Sequence, residues 1–299
     1  MVLVDPSNRR FLSRSELEGA AFGRLAGTAL DGLWVAGTLD GLAAPTVAVV
    51  GTRVPSDDGR RIAQRLAADL GRAGVCVVSG LALGIDAAAH EGALAAAAPT
   101  IGVLGGGHER FFPPRNAELA RRVVAAGGAV VSPYAPDHPA FPHQFLARNG
   151  IVAALADAVV VVEAAVRSGA LNTASWAADR NIPVMAVPGD IARPKVAGCL
   201  ALIRDGATLV RDAADVLSLL GLDAPAVPAA RPAAVDPIAR RILAALDAGG
   251  ADADTVIESC AAPVALALAR LGELVAAGTV VEGADGRFRR SVDGTRRSR

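Results

Sequence analysis

Short runs of β-branched and aliphatic residues alternate with Ala/Leu/Arg segments of helical length from about residue 46 to residue 220. The runs are "TVAVV" (46–50), "VCVV" (75–78), "TIGVL" (100–104), "AVVS" (129–132), "AVVVVE" (158–163), "PVMAV" (183–187) and "TLV" (208–210). Their apolar character is near-continuous rather than alternating, which marks strands buried on both faces. Such strands, each followed by a helical segment, predict a Rossmann-like α/β fold with a doubly wound, mostly parallel sheet between two helical layers. Ligands of these sheets sit at the carboxyl ends of the strands.

The pattern changes beyond residue 220. "GLDAPAVPAARPAAVDP" (221–237) carries four prolines and reads as a linker. "DPIARRILAALDAGG", "DADTVIESC" and "PVALALARLGELVAAG" then predict three helices, and "TVVEGADGRFRR" a hairpin turning at Asp285-Gly286. Together they suggest a small carboxyl-terminal winged-helix domain over residues 238–290, with a disordered tail at 291–299. The first 45 residues give weak signals and are expected to form an amino-terminal segment, partly helical over Ser15–Leu25.

Composition narrows the function classes. Hydrophobic residues make up 52% of the 299, yet Gly, Pro or charge interrupts every apolar run before the roughly 18 residues of a membrane span. "MVLVDPSNRRFLSR" places acid and proline where a secretory core would be apolar, so a cytoplasmic protein with no membrane partner is expected. Thirty basic residues balance thirty acidic ones, so any nucleic-acid role needs a local basic patch rather than a global field. Cys76, Cys199 and Cys260 are far apart and form no CxxC pair, which points to buried thiols and to neither a disulfide framework nor a metal site.

Four strand-end turns could carry chemistry. In "VVSGLALGIDAAAH" (77–90), Ser79 and Gly80 leave backbone accessible, Gly84 permits a positive φ, and Asp86 can cap the next helix. Free N–H groups there suit an anion; a tight βα connection is the alternative. "VVGTR" (49–53) puts Gly51, Thr52 and Arg53 on a strand-end loop, where arginine can grip a phosphate or make a surface ion pair. "VEAAVRSGALNTA" places Ser168, Gly169, Asn172 and Thr173 at a helix start, as ligands or as caps. "FPHQFLARNGIVAAL" brings Phe145, Arg148 and Asn149 to another junction. Aromatics are only 3% of the chain, and Phe141 and Phe145 beside arginine-bearing turns suit base stacking along a phosphate track, with core packing as the alternative for either ring. The loop "LGGGHERFFPPRN" offers glycines and a His108–Glu109 pair to which no catalysis is assigned. No nucleophile elbow, HExxH, paired catalytic carboxylates or Walker lysine is found, and the only lysine is Lys195.

"VVGTR", "VVSGLALGIDAAAHEGAL", "TIGVLGGG", "FLARNGIVAAL", "VVVVEAAVRSGALNTASWAA", "VMAVPGDI" and "GCLALIRDGATLV" resemble, in order and spacing, the DprA/Smf family of bacterial DNA-processing proteins. The likeness covers Thr46–Val210. It implies a Rossmann-like, non-catalytic homodimer without cofactor that binds single-stranded DNA and helps load the RecA recombinase in natural transformation (competence). Arg53 matches the arginine of the family's Gly-Ser-Arg turn, with Thr52 for serine; Ser79, Gly80, Gly84 and Asp86 match its Ser-Gly-x-Ala-x-Gly-Ile-Asp turn. Phe145, Arg148 and Asn149 fall in its Phe-Pro-x-Arg-Asn-Arg segment. Leu146 stands for that proline and Gly150 for the second arginine, which removes a positive charge from the implied groove. Arg287, Arg289, Arg290, Arg296, Arg297 and Arg299 could compensate or be merely solvated.

Two rivals stand beside this reading. A nucleotide-processing hydrolase resembling the lysine-decarboxylase-like Rossmann proteins needs a catalytic glutamate after a Pro-Gly-Gly-x-Gly-Thr turn; here the region reads "SGALNTA", and Glu163 lacks a partner. A duplex-DNA repressor would need a polar recognition helix, whereas "PVALALARLGELVAAG" offers only Arg270 as a base-reading cation.

Overall fold

All seven valine-rich runs form strands, and their order puts the predicted turns at one edge. The computed structural model describes residues 9–19, 25, 28, 30–222, 237–247, 250–276, 279–283 and 285–290. In chain order these give β1 (Arg9–Ser13), α1 (Arg14–Gly19), β2 (Gly32–Gly37), β3 (Thr46–Val50), α2 (Asp57–Arg72), β4 (Cys76–Ser79), α3 (Ile85–Ala95), β5 (Thr100–Val103) and α4 (Ala117–Ala125). There follow β6 (Ala129–Ser132), α5 (Pro142–Ala154), β7 (Ala158–Val161), α6 (Gly169–Ala178), β8 (Val184–Ala186), α7 (Ala197–Arg204), β9 (Thr208–Leu209) and α8 (Ala213–Leu219). The chain divides into two compact units, Met1–Pro225 and Ala226–Arg299.

In the first unit nine strands make one sheet in the order β1-β2-β6-β5-β4-β3-β7-β8-β9. The seven from β3 to β9 run parallel, while β2 pairs antiparallel with β6 and β1 antiparallel with β2. From β3 the chain builds outward through β4, β5 and β6, then returns to place β7 on the other side of β3. That reversal makes β3/β7 the topological switch point, where a crevice opens between diverging loops.

Both faces are covered, as continuous valine runs require. Ala48, Val50, Val159 and Val161 enter one core with residues of α5, α6 and α7. Val47, Val49, Ala158 and Val160 enter a second with α2, α3 and α8. A third cluster seats α4 on Leu81, Leu104 and Val130. Cys76, Cys199 and Cys260 are buried free thiols.

The amino-terminal residues hold more strand than the pattern suggests. β1 and β2 extend the sheet, and the helix in this region is the short α1; residues 20–24 of the expected Ser15–Leu25 helix lie outside the described residues. The second unit contains α9 (Pro237–Leu246), α10 (Ala253–Ser259), α11 (Val264–Ala276) and an antiparallel pair, β10 (Val280–Glu282) with β11 (Phe288–Arg290). Three helices and a hairpin thus follow in the predicted order around a core of Ile242, Leu246, Val256 and Leu271. Most of the expected linker at 221–237, and all of the expected tail at 291–299 with Arg296, Arg297 and Arg299, lie outside the described residues. Arg287 donates to Gly250 O, Arg289 pairs with Asp285 and Arg290 with Asp247, so these three cations are locally engaged. Among the described residues no single helix is long and apolar enough to cross a membrane.

Candidate functional site

A cleft of about 410 Å³ opens at the carboxyl ends of β3, β4 and β7, against the middle of α5 and the start of α6. Ten of the fourteen predicted residues line it: Gly51, Arg53, Gly80, Asp86, Phe145, Arg148, Asn149, Ser168, Gly169 and Thr173. Four separate stretches of chain therefore meet in one place, because parallel strands deliver all their βα loops to one edge. Val50, Ala82, Leu146, Val152 and Ala170 complete the lining. Of these, Leu146 is marked in the sequence only as standing for the family's proline; the other four carry no polar signal of their own, so only the fold reveals them.

The other four predicted residues hold the loops in shape. Thr52 N donates to Glu163 O at 2.7 Å and its carbonyl accepts from Ile85 N at 3.2 Å. Ser79 is buried and its hydroxyl donates to Val49 O at 2.7 Å, so it braces two strands and offers nothing to a ligand. Gly84 adopts φ +86°, and a Cβ there would overlap Thr52 O, so a side chain is excluded by conformation and by space. Asn172 Oδ1 accepts from Asn149 Nδ2 at 3.3 Å and orients that amide.

Asp86 does not cap α3; the N-cap position is Gly84, and Asp86 lies in the first turn. Its carboxylate accepts from Gly80 N at 3.1 Å and from the Ala82 backbone. The amides of Gly80 and Ala82 are thus satisfied from within and are not free for an anion, as in the tight βα connection that was the alternative. Burial pushes the Asp86 carboxyl up from its ordinary value, opposed by the charge of Arg148 and by the two amides.

Arg148 is buried, and its Nη1 donates to Val103 O at 2.8 Å while Nε has no partner. Burial pulls its pKa down to about 10 against the opposing pull of Asp86, which leaves it fully cationic near neutrality. Gly80 makes room for it, since a Cβ at position 80 would fall within 2.6 Å of Nη2 and overlap the rest of the guanidinium. Arg148 thus supplies fixed positive charge to the cleft wall. Arg53 is the exposed counterpart: its guanidinium lies over the Phe145 ring, 5.4 Å from the centroid.

The Arg53 loop is anchored behind the cleft. Glu163 is buried and accepts from Ser56 N at 3.0 Å and Ser56 Oγ at 2.8 Å, while Ser56 Oγ accepts from Gly59 N as the N-cap of α2. Glu163 therefore spends its carboxylate on structure rather than presenting it as a base. From the far side, Lys195 Nζ donates to Val54 O at 2.8 Å. Gly150, where the resemblance leads one to expect arginine, is buried with a Cβ position 3.2 Å from the Trp176 indole, so α6 fills the space that a longer side chain would take. Ser168 caps α6, its Oγ accepting from Ala170 N at 3.3 Å, and that helix start adds partial positive charge to the cleft.

The family model for DNA recombination-mediator protein A matches residues 28–221. The putative DNA processing protein DprA of Mycobacterium tuberculosis is 44% identical over 191 residues, which are 63% of this chain and 49% of that protein. The chain thus spans about half the length of that relative. Among solved structures, DNA processing protein A of Streptococcus pneumoniae superposes with a TM-score of 0.64 at 36% identity, covering 70% of this chain and 73% of the other. The DNA processing protein A of Helicobacter pylori, whose structure addresses its single-stranded DNA binding mode, gives 0.65 at 27% identity over 74% and 98%. By its sequence and by the fold that carries the cleft, the chain belongs to the DNA recombination-mediator protein A family, the DprA/Smf proteins.

Proposed function

We propose that this chain binds single-stranded DNA at the switch-point cleft, as a DNA-processing protein rather than an enzyme. The observation that carries the reading is the meeting of exposed Arg53, fixed Arg148 and the amino terminus of α6 in one cleft of a chain with no net charge. Phosphates would be held by Arg53 in the field of Arg148, with counterion release supplying much of the affinity. The one carboxylate in the lining, Asp86, is bonded to the backbone, and Glu163 is bonded to Ser56, which weighs against the hydrolase reading. Homodimer formation and delivery of the strand to a RecA-type recombinase in transformation extend the same proposal, resting on family membership.

The test is fluorescence anisotropy of labelled oligo-dT with the intact chain and with Arg53→Ala. The substitution should weaken binding about tenfold at low salt and make the salt dependence shallower by about 0.7 in log–log slope. Unchanged affinity and slope would show that Arg53 meets no phosphate.

A further inference from the structure

The three most exposed large hydrophobic side chains among the described residues are Ile191 at 88%, Val54 at 69% and Val166 at 64%. Scattered singly, such residues are ordinary surface. These three stand on the loops that follow β8, β3 and β7, and the strands are neighbours in the order β3-β7-β8, so all three tips rise from one edge of the sheet. The loops are also fastened to one another. Thr52 N donates to Glu163 O at 2.7 Å, Gly198 N to Ala164 O at 2.8 Å, and Lys195 Nζ to Val54 O at 2.8 Å. The tips therefore form a ridge that a partner meets already ordered.

Each tip has a cation close to it in the chain: Arg53 precedes Val54, Arg167 follows Val166, and Arg193 and Lys195 follow Ile191. The acids nearby are engaged within the fold. Glu163 is bonded to Ser56, Asp190 Oδ1 accepts from Ala192 N at 2.9 Å, and Asp58 at the start of α2 pairs with both Arg61 and Arg193. Arg167 has no hydrogen-bond or ion partner among the described residues, and Lys195 bonds a carbonyl rather than a carboxylate. Unmatched positive charge set among exposed aliphatic tips complements a partner that brings carboxylates and apolar side chains together. A DNA strand matches only half of this, because none of the tips is a ring on which a base could stack. A lipid surface is also the poorer match, since no Trp or Tyr stands on these loops as an interfacial anchor.

We infer that this ridge docks an acidic protein segment in which Asp and Glu are interspersed with aliphatic residues. The carboxylates meet Arg167, Arg193 and Lys195, while the aliphatics cover Ile191, Val54 and Val166. The inference goes beyond strand binding and does not depend on it.

The experiment is fluorescence anisotropy of the full chain with three short labelled peptides of equal length: one of interspersed Asp, Glu, Leu and Ile, one with its aliphatics replaced by Ser, and one with its acids replaced by Lys. The first should bind, and each control should bind about tenfold more weakly or worse. Ile191→Ser and Val166→Ser should each weaken the first peptide about fivefold. Arg167→Glu should weaken it by about the same factor, and that loss should shrink as salt is raised. Oligo-dT affinity, titrated on the same proteins, should be unchanged in Ile191→Ser and Val166→Ser. Failure of the first peptide to bind, a serine control that binds as well, or ridge variants with full peptide affinity would overturn the docking surface. So would losses confined to oligo-dT, which would assign the ridge to the DNA track, or to phosphatidylglycerol vesicles, which would make it a membrane contact. The strand-binding reading falls only if the unmodified chain fails to bind oligo-dT, whatever the peptides do. Thermal melting of the variants confirms that the fold is intact.

Discussion

Replacing Gly80 with alanine probes the least forgiving contact in the cleft. A methyl group there overlaps the Arg148 guanidinium, with Nη2 only 2.6 Å away. On a surface an arginine would swing aside at little cost. Here it is buried, bonded to Val103 O at 2.8 Å and facing the buried Asp86 carboxylate. Displacing it breaks a charge-assisted hydrogen bond and strips Asp86 of its compensating charge, a loss of about 2–4 kcal/mol. For a unit of this size that lowers the melting temperature by about 5–15 °C. A double-mutant cycle isolates the cause: in an Arg148→Met background the clash is gone, and Gly80→Ala should cost under about 1 kcal/mol. The assay is urea unfolding of the four proteins at neutral pH. A Gly80→Ala protein as stable as the parent, or costs that simply add in the double variant, would refute the packing of Gly80 against Arg148.

Three other outcomes are expected. Glu163→Ala leaves both Ser56 donors unmatched and should cost about 2–3 kcal/mol in urea unfolding, with Glu163→Gln recovering part of it; a silent Glu163→Ala would remove its structural role. Burial, reinforced by the charge of Arg148, lowers the His90 pKa from 6.5 to about 3, so below pH 6.5 the unfolded chain takes a proton that the folded one refuses. Stability is then complete above pH 6.5 and falls on acidification, by about 2 kcal/mol at pH 5 through this residue; His90→Gln should flatten that limb, and an identical pH profile would contradict the assignment. Gly150→Arg, which restores the residue that the resemblance leads one to expect, should destabilise by about 1–3 kcal/mol against Trp176 instead of strengthening DNA binding; a melting scan with a parallel titration separates the two.

The parallel sheet was legible because strands buried on both faces leave an unbroken mark in the sequence, as "AVVVVE" does. β1 was not, since "RRFLS" shows two arginines and forms a strand only by pairing with β2, whose partners lie 19 to 27 positions later. Site residues were legible as glycine-rich turns at strand ends, but their division of labour was not. Asp86 reads locally as a helix cap, while its real partners are Gly80, Ala82 and an arginine 62 positions away. Whether Phe145 stacks or packs is left open by the sequence, because neither Arg53 nor Gly105, its neighbours in the fold, is near it in the chain.

The central claim, that the cleft holds an unpaired strand, is tested most directly by a salt titration of the full chain against oligo-dT and a duplex of equal length. The account predicts tighter binding of the single strand at every salt concentration, with log affinity falling linearly as log salt rises, by about 0.7 per phosphate neutralised. Equal affinity for the duplex, or a single-strand affinity indifferent to salt, would contradict it.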